Sequence, residues 1–157
     1  MHYKTQIMKS LILIALINLF ASFKVPGSGT AFLDCKSESG RTTLHAELQN
    51  IMGLLEKAEL IVDSKKLGFT EDDEAYTIFD PQKKVFTVYI TGKINKDFPN
   101  GRFIQLWALP ETFKIINGNR ENQVYEFKAR IEATEPRKNK ALRIPQVELN
   151  CKLTYSI

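Results

Sequence analysis

Two stretches near the C-terminus constrain the fold more than any other feature. Residues 124–134 read VYEFKARIEAT, with Tyr125, Phe127, Ala129, Ile131 and Ala133 alternating with Glu126, Lys128, Arg130 and Glu132. Residues 147–157 repeat the pattern. Val147, Leu149, Cys151, Leu153, Tyr155 and Ile157 fall on one side; Glu148, Asn150, Lys152, Thr154 and Ser156 fall on the other. Successive strand side chains point to opposite faces of a sheet, so this alternation marks strands with one dry and one wet face.

Cys151 lies in the apolar row of the last segment. Cys35 belongs to an earlier one, where Leu33, Cys35 and Ser37 alternate with Phe32, Asp34 and Lys36. A bond between the cysteines requires Cα atoms within about 7 Å, which makes the opening and closing strands neighbours. Such a bridge closes a loop of 116 residues. The chain-entropy model values that closure at about 4–5 kcal/mol. Two buried free thiols are the alternative; the alternation favours the bridge.

Further strands are expected at residues 42–48 (Leu44, Ala46 and Leu48 together), 58–63, 76–79, 85–91, 102–109 and 112–116. The Asp80-Pro81-Gln82-Lys83-Lys84 cluster and Asn117-Gly118-Asn119 supply turn chemistry between them. Residues 44–60, LHAELQNIMGLLEKAEL, are rich in helix formers and leave room for one short helix near 49–57, weakened by Gly53. The expected fold is all-β, an antiparallel sandwich or partly closed barrel with its terminal strands adjacent.

The N-terminus points to export. Residues 10–23, SLILIALINLFASF, follow Lys4 and Lys9 and precede the small-residue run Gly27-Ser28-Gly29-Thr30-Ala31. A basic start, a short apolar core and small residues near a cut are the parts of a secretory signal peptide. The run is shorter than the ~20 apolar residues of a membrane span, so no span is expected after signal removal. Met8 offers a more compact start for the signal, and cleavage is expected after Ser22 or after Ala31, leaving one β-rich domain at 32–157. Asp34 before Cys35 excludes a lipidated cysteine. The address is secreted or periplasmic, where two cysteines ordinarily form a bridge.

Export also changes the charge argument. The chain carries 22 Lys and Arg against 18 Asp and Glu, but Lys4, Lys9 and Lys24 belong to the leader, which leaves 19 bases against 18 acids. A nucleic-acid partner needs a clustered basic footprint; none is expected.

No catalytic constellation is legible. His45 is the only histidine after the leader, sharing a strand face with Thr43 and Glu47, with neither nucleophile nor orienting group in view. No set of His and Cys ligands suits zinc, no cofactor motif is present, and Glu71-Asp72-Asp73-Glu74 lacks the spacing of a calcium loop; it reads as a solvated acidic loop. A hydrolase would need two acids converging across a cleft.

Two features bear on binding. Arg137, Lys138, Lys140 and Arg143 place four cations in seven residues between the last two strands, a cluster suited to an anionic glycan or an acidic protein surface. Its bland reading is a soluble connecting loop. Phe103, Trp107 and Phe113 flank Pro110, and aromatic residues in such strands ordinarily belong to the core. The function expected is a non-enzymatic binding or inhibitory module for an unknown protein or anionic ligand. A carboxylate hydrolase or a subunit that pairs through a sheet edge is the alternative.

Overall fold

A computed structural model describes residues 29–51, 53–98, 101–119, 121–136 and 141–156. Its strands are β1 (Thr30–Lys36), β2 (Thr42–Leu48), β3 (Leu55–Val62), β4 (Lys65–Thr70), β5 (Glu74–Asp80), β6 (Val85–Gly92), β7 (Arg102–Ala108), β8 (Lys114–Gly118), β9 (Asn122–Pro136) and β10 (Ala141–Ser156). They form one antiparallel sheet in the order β4-β3-β2-β1-β10-β9-β7-β6-β5, with β8 beside this path against the start of β9. The sheet curls into a half-barrel, the partly closed form of the expected architecture. Among the described residues, no helix is long and apolar enough to cross a membrane.

Curling follows from one-sided burial. Leu33, Leu44, Ala46, Leu60, Val88, Ile90, Ile104, Leu106, Ala129, Ile131 and Leu153 are fully or almost fully buried and share the inner face. At one end, Phe79, Phe86, Phe113, Tyr125 and Phe127 pack edge-on, tilted or stacked, with centroids 5.1 to 6.1 Å apart. Bending a one-faced sheet around these rows removes them from water without a second layer. The two longest strands, β9 and β10, run through the centre. Their ladder shifts register between Ile144 and Val147. Pro145, which has no N–H to give the ladder, stands at that irregularity.

Cys35 and Cys151 face each other across the β1–β10 ladder and are joined by a disulfide, with Cα atoms 4.0 Å apart. Both lie in the inner apolar row, as the alternation predicts. Thr30 and Ala31 belong to β1, opposite Ser156 and Tyr155, and Ala31 is fully buried.

The short helix allowed near 49–57 does not form. β2 ends at Leu48 and β3 starts at Leu55, paired antiparallel, and the chain reverses between them. Gly53 decides the matter: its φ of +117° lies outside helical space, and its N–H donates to the backbone and side-chain oxygens of Asn50. The same glycine approaches β5, one of the two edge strands of the sheet path. A Cβ there would stand 3.0 Å from the Ala75 carbonyl oxygen and 3.0 Å from Thr77 Oγ1. The β2–β3 turn thus covers part of the β5 edge, a means of protecting exposed strand backbone. Gly53→Ala is expected to lower stability by about 1–3 kcal/mol through forced backbone strain. Urea unfolding checks this, and an unchanged midpoint would contradict the close approach.

Strand β4 lies outside the strands expected from sequence. It follows a two-residue turn in which Asp63 and Ser64 both take positive φ, 45° and 69°, the hairpin geometry usually written with Asn-Gly.

A second tie closes the mouth of the curl. Asp73 lies in the turn between β4 and β5, and its carboxylate accepts the Thr70 and Lys93 N–H groups and a hydrogen bond from Arg102 Nη2 at 2.9 Å. The Arg102 guanidinium lies 4.8 Å from the ring centroids of both Phe69 and Phe98. Gly92 leaves room for its stem, since a Cβ there would overlap Arg102. The acidic run is therefore not a uniformly solvated loop. Asp73 is buried, Asp72 pairs with Lys93, and Glu74 accepts from the Tyr76 hydroxyl.

Candidate functional site: the outer face of the sheet

The wet face of each strand contributes to one continuous outer surface, and ladder register places its side chains in rows. One row crosses six strands from β8 to β3 as Lys114, Glu126, Lys152, Asp34, His45 and Glu59. Cation and anion alternate at every step except the histidine, where the ring accommodates either state. Opposite charges directly across a ladder attract; within the row Asp34 and His45 are in direct contact at 2.7 Å, and Glu59 pairs with Lys66 beside it. Lys114, Lys128, Lys152, Asp34 and Glu126 line a groove of about 500 Å³ along it, and Lys128 is committed to Glu148 at 2.8 Å.

His45 is more than an exposed strand histidine. Its Nδ1 lies 2.7 Å from Asp34 and its Nε2 lies 3.0 Å from Glu47, which also accepts from Lys57. The Glu47 hydrogen bond, opposed by partial burial and helped by Asp34, holds the ring above its ordinary pKa. The same histidine, followed by Lys57, holds Glu47 below the carboxylate range. When protonated, the ring donates from both nitrogens to the two carboxylates and has no lone pair to act as a base. The acids with displaced titration, Glu47, Asp80 and Glu148, all move down under hydrogen bonds from His45, from Lys83 and from Lys128 respectively. A general acid for glycoside cleavage needs the opposite shift.

The other half of the outer face differs in kind. On β7, Ile104, Leu106 and Ala108 point into the core, which turns Phe103, Gln105 and Trp107 outward. On β6, Thr87, Tyr89 and Thr91 face the same way; on edge strand β5, Tyr76 and Ile78 do so, 59% and 64% exposed. Register puts Tyr76 opposite Tyr89, Tyr89 opposite Gln105, and Gln105 opposite Glu132. Trp107 lies between Arg130 and Thr87 in the neighbouring row. The Tyr89 and Phe103 rings are 5.7 Å apart and tilted by 31°. Four aromatic side chains thus form a strip on a sheet surface, interleaved with Gln105, Thr87, Thr91, Arg130 and Glu132.

This placement splits the sequence expectation for the aromatic set. Phe113 is core, buried against Tyr125 and Phe127. Phe103 and Trp107 are not: they lie only partly buried on the wet face. Tyr76 and Tyr89 join them, and the signal that finds these two is their alternation with Ala75, Val88 and Ile90. Of the cationic candidates, Arg137, Lys138 and Lys140 lie outside the described residues. Arg143 is placed by its backbone alone, opposite Thr134 on β9.

No family model, no curated protein and no solved structure matches the chain.

Proposed function

We propose that the protein is an exported, non-enzymatic binding module whose ligand meets the outer face of β5, β6 and β7. The observation that carries this reading is the strip of Tyr76, Tyr89, Phe103 and Trp107 on the wet side of strands whose opposite side is a complete core. Large aromatic groups on a solvated surface retain apolar area that folding has not removed from water, and contiguous patches of that kind mark interaction sites. Part of the charged half of the same face is engaged in its own ion pairs, from Asp34 through His45 and Glu47 to Lys57, and between Lys128 and Glu148.

The export address rests on the leader-like N-terminus and is compatible with the disulfide. Within it, removal of the leader after Ser22 fits better than removal after Ala31. Ala31 is fully buried in β1 and Thr30 pairs with Ser156, so cutting after Ala31 would remove the first two rungs of the terminal ladder.

Purified wild type, Tyr76→Ala and Trp107→Ala are to be compared for retention on immobilised extracellular polysaccharide and extracellular protein fractions of the producing cells. Wild type is expected to be retained by one fraction, and both variants to lose at least tenfold in affinity. That is about 1.4 kcal/mol, in the range of a stacked aromatic contact. Tyr76 is an exposed edge residue, so its loss leaves the core untouched. Variants that bind as tightly as wild type would move the site elsewhere.

A further inference from the structure

We infer that the β5–β7 strip takes an uncharged polysaccharide chain, an inference that rests on the binding reading above and names the chemistry of its ligand. The polar side chains between the rings carry the argument. Gln105 presents both an amide donor and an acceptor, and Thr87 and Thr91 present hydroxyls that do either. Arg130 adds donors and Glu132 adds acceptors in adjacent positions of β9. A sugar hydroxyl is itself donor and acceptor, so a surface that mixes both at close spacing matches it. The negative face of an aromatic ring suits the polarised C–H face of a pyranose, which has no charge to neutralise.

Charge balance separates this ligand from its rivals. Arg130, the cation opposite Trp107, is flanked by Glu132 along β9 and faces Glu148 across the ladder, and Arg143 stands in the row of Phe103, opposite Thr134. Among the side chains that the structure describes, this surface shows no excess of cations, which an acidic glycan or an anionic membrane requires. Addition of a peptide as an extra strand would need a free β5 backbone. Gly53 already stands against Ala75 and Thr77 on that edge. What is left open is an outer side-chain face interrupted by hydrogen-bonding groups.

The test uses the full mature chain in native gels cast with a soluble β-1,3-glucan, a β-1,4-xylan, an α-mannan, or alginate as the acidic contrast. Titration of the fluorescence of Trp107, the only tryptophan in the chain, accompanies it. Retardation by at least one neutral polymer with a saturable change in Trp107 emission is expected, and Tyr76→Ala should weaken it about tenfold. Retardation by alginate alone, abolished by salt, overturns the uncharged class and leaves the face as the site. Retention on the extracellular protein fraction with none by any polymer does the same. Neutral-polymer binding that Tyr76→Ala leaves unchanged overturns the assignment to this face. No retardation by any polymer and no retention on protein overturns both readings.

Discussion

Asp73→Ala is expected to destabilise the domain by about 3–5 kcal/mol, the usual consequence of removing one partner from a buried ion pair. The Asp73 side chain is 5% exposed and that of Arg102 17%. Without the carboxylate, a guanidinium boxed in by Phe69 and Phe98 keeps its charge in a desolvated place, while the Thr70 and Lys93 N–H groups lose their acceptor. Arg102→Lys should recover little, because an ammonium lacks the plane that fits between two rings. The double variant Asp73→Ala/Arg102→Met should lie well above the sum of the single losses, since an apolar pair of similar bulk leaves no orphan charge. Urea unfolding of wild type, Asp73→Ala, Arg102→Met and the double variant measures the coupling, with Arg102→Lys as a fifth protein. A cost below about 1 kcal/mol for Asp73→Ala would mean that the closure between β4 and β7 contributes little.

Removing the Cys35–Cys151 bridge is the second large effect. Cys35→Ala/Cys151→Ala is expected to lose about 2–5 kcal/mol, with the ladder between β1 and β10 still able to form. The loss arises chiefly in the unfolded chain, which gains the freedom of a 116-residue loop. Alanine is the appropriate replacement, because both positions are buried in an apolar row and a serine would add an unsatisfied hydroxyl. Guanidinium unfolding with and without a strong reductant provides the check. In native buffer the reductant should act slowly, since the sulfur atoms are reached only when the ladder opens. Coincident oxidised and reduced transitions would sink the prediction.

The disulfide and the strand faces were readable without coordinates because both rest on local rules. Period two assigns each residue of residues 124–134 and 147–157 a side, and the apolar side is the one that water rejects. Cys151 lies in an apolar row, and Cys35, the other of the chain's two cysteines, is its only possible intramolecular partner. The reading failed where local signals were weak or ambiguous. β4, KKLGFT, has only Leu67 and Phe69 buried and follows a glycine-free turn. Residues 49–57 have the composition of a helix, and pairing of β2 with β3 overrode it.

For the site, the split was sharper. Alternation separates Phe103 and Trp107 from Ile104, Leu106 and Ala108, yet it does not say which row faces in. Volume favours the aromatics as core; the register of β7 between β6 and β9 decides otherwise, joining the aliphatic row to Val88, Ile90, Ile131 and Ala133. Asp73 looked solvated because its partner Arg102 is 29 residues away. By itself the sequence determined the β class, the side taken by each residue of its longest strands and the covalent tie between its ends, since these follow from backbone geometry and thiol chemistry. Only the tertiary structure decided which rows met inside the curl, which aromatics stayed in water and which acid was buried, because those outcomes depend on register among strands far apart in the chain.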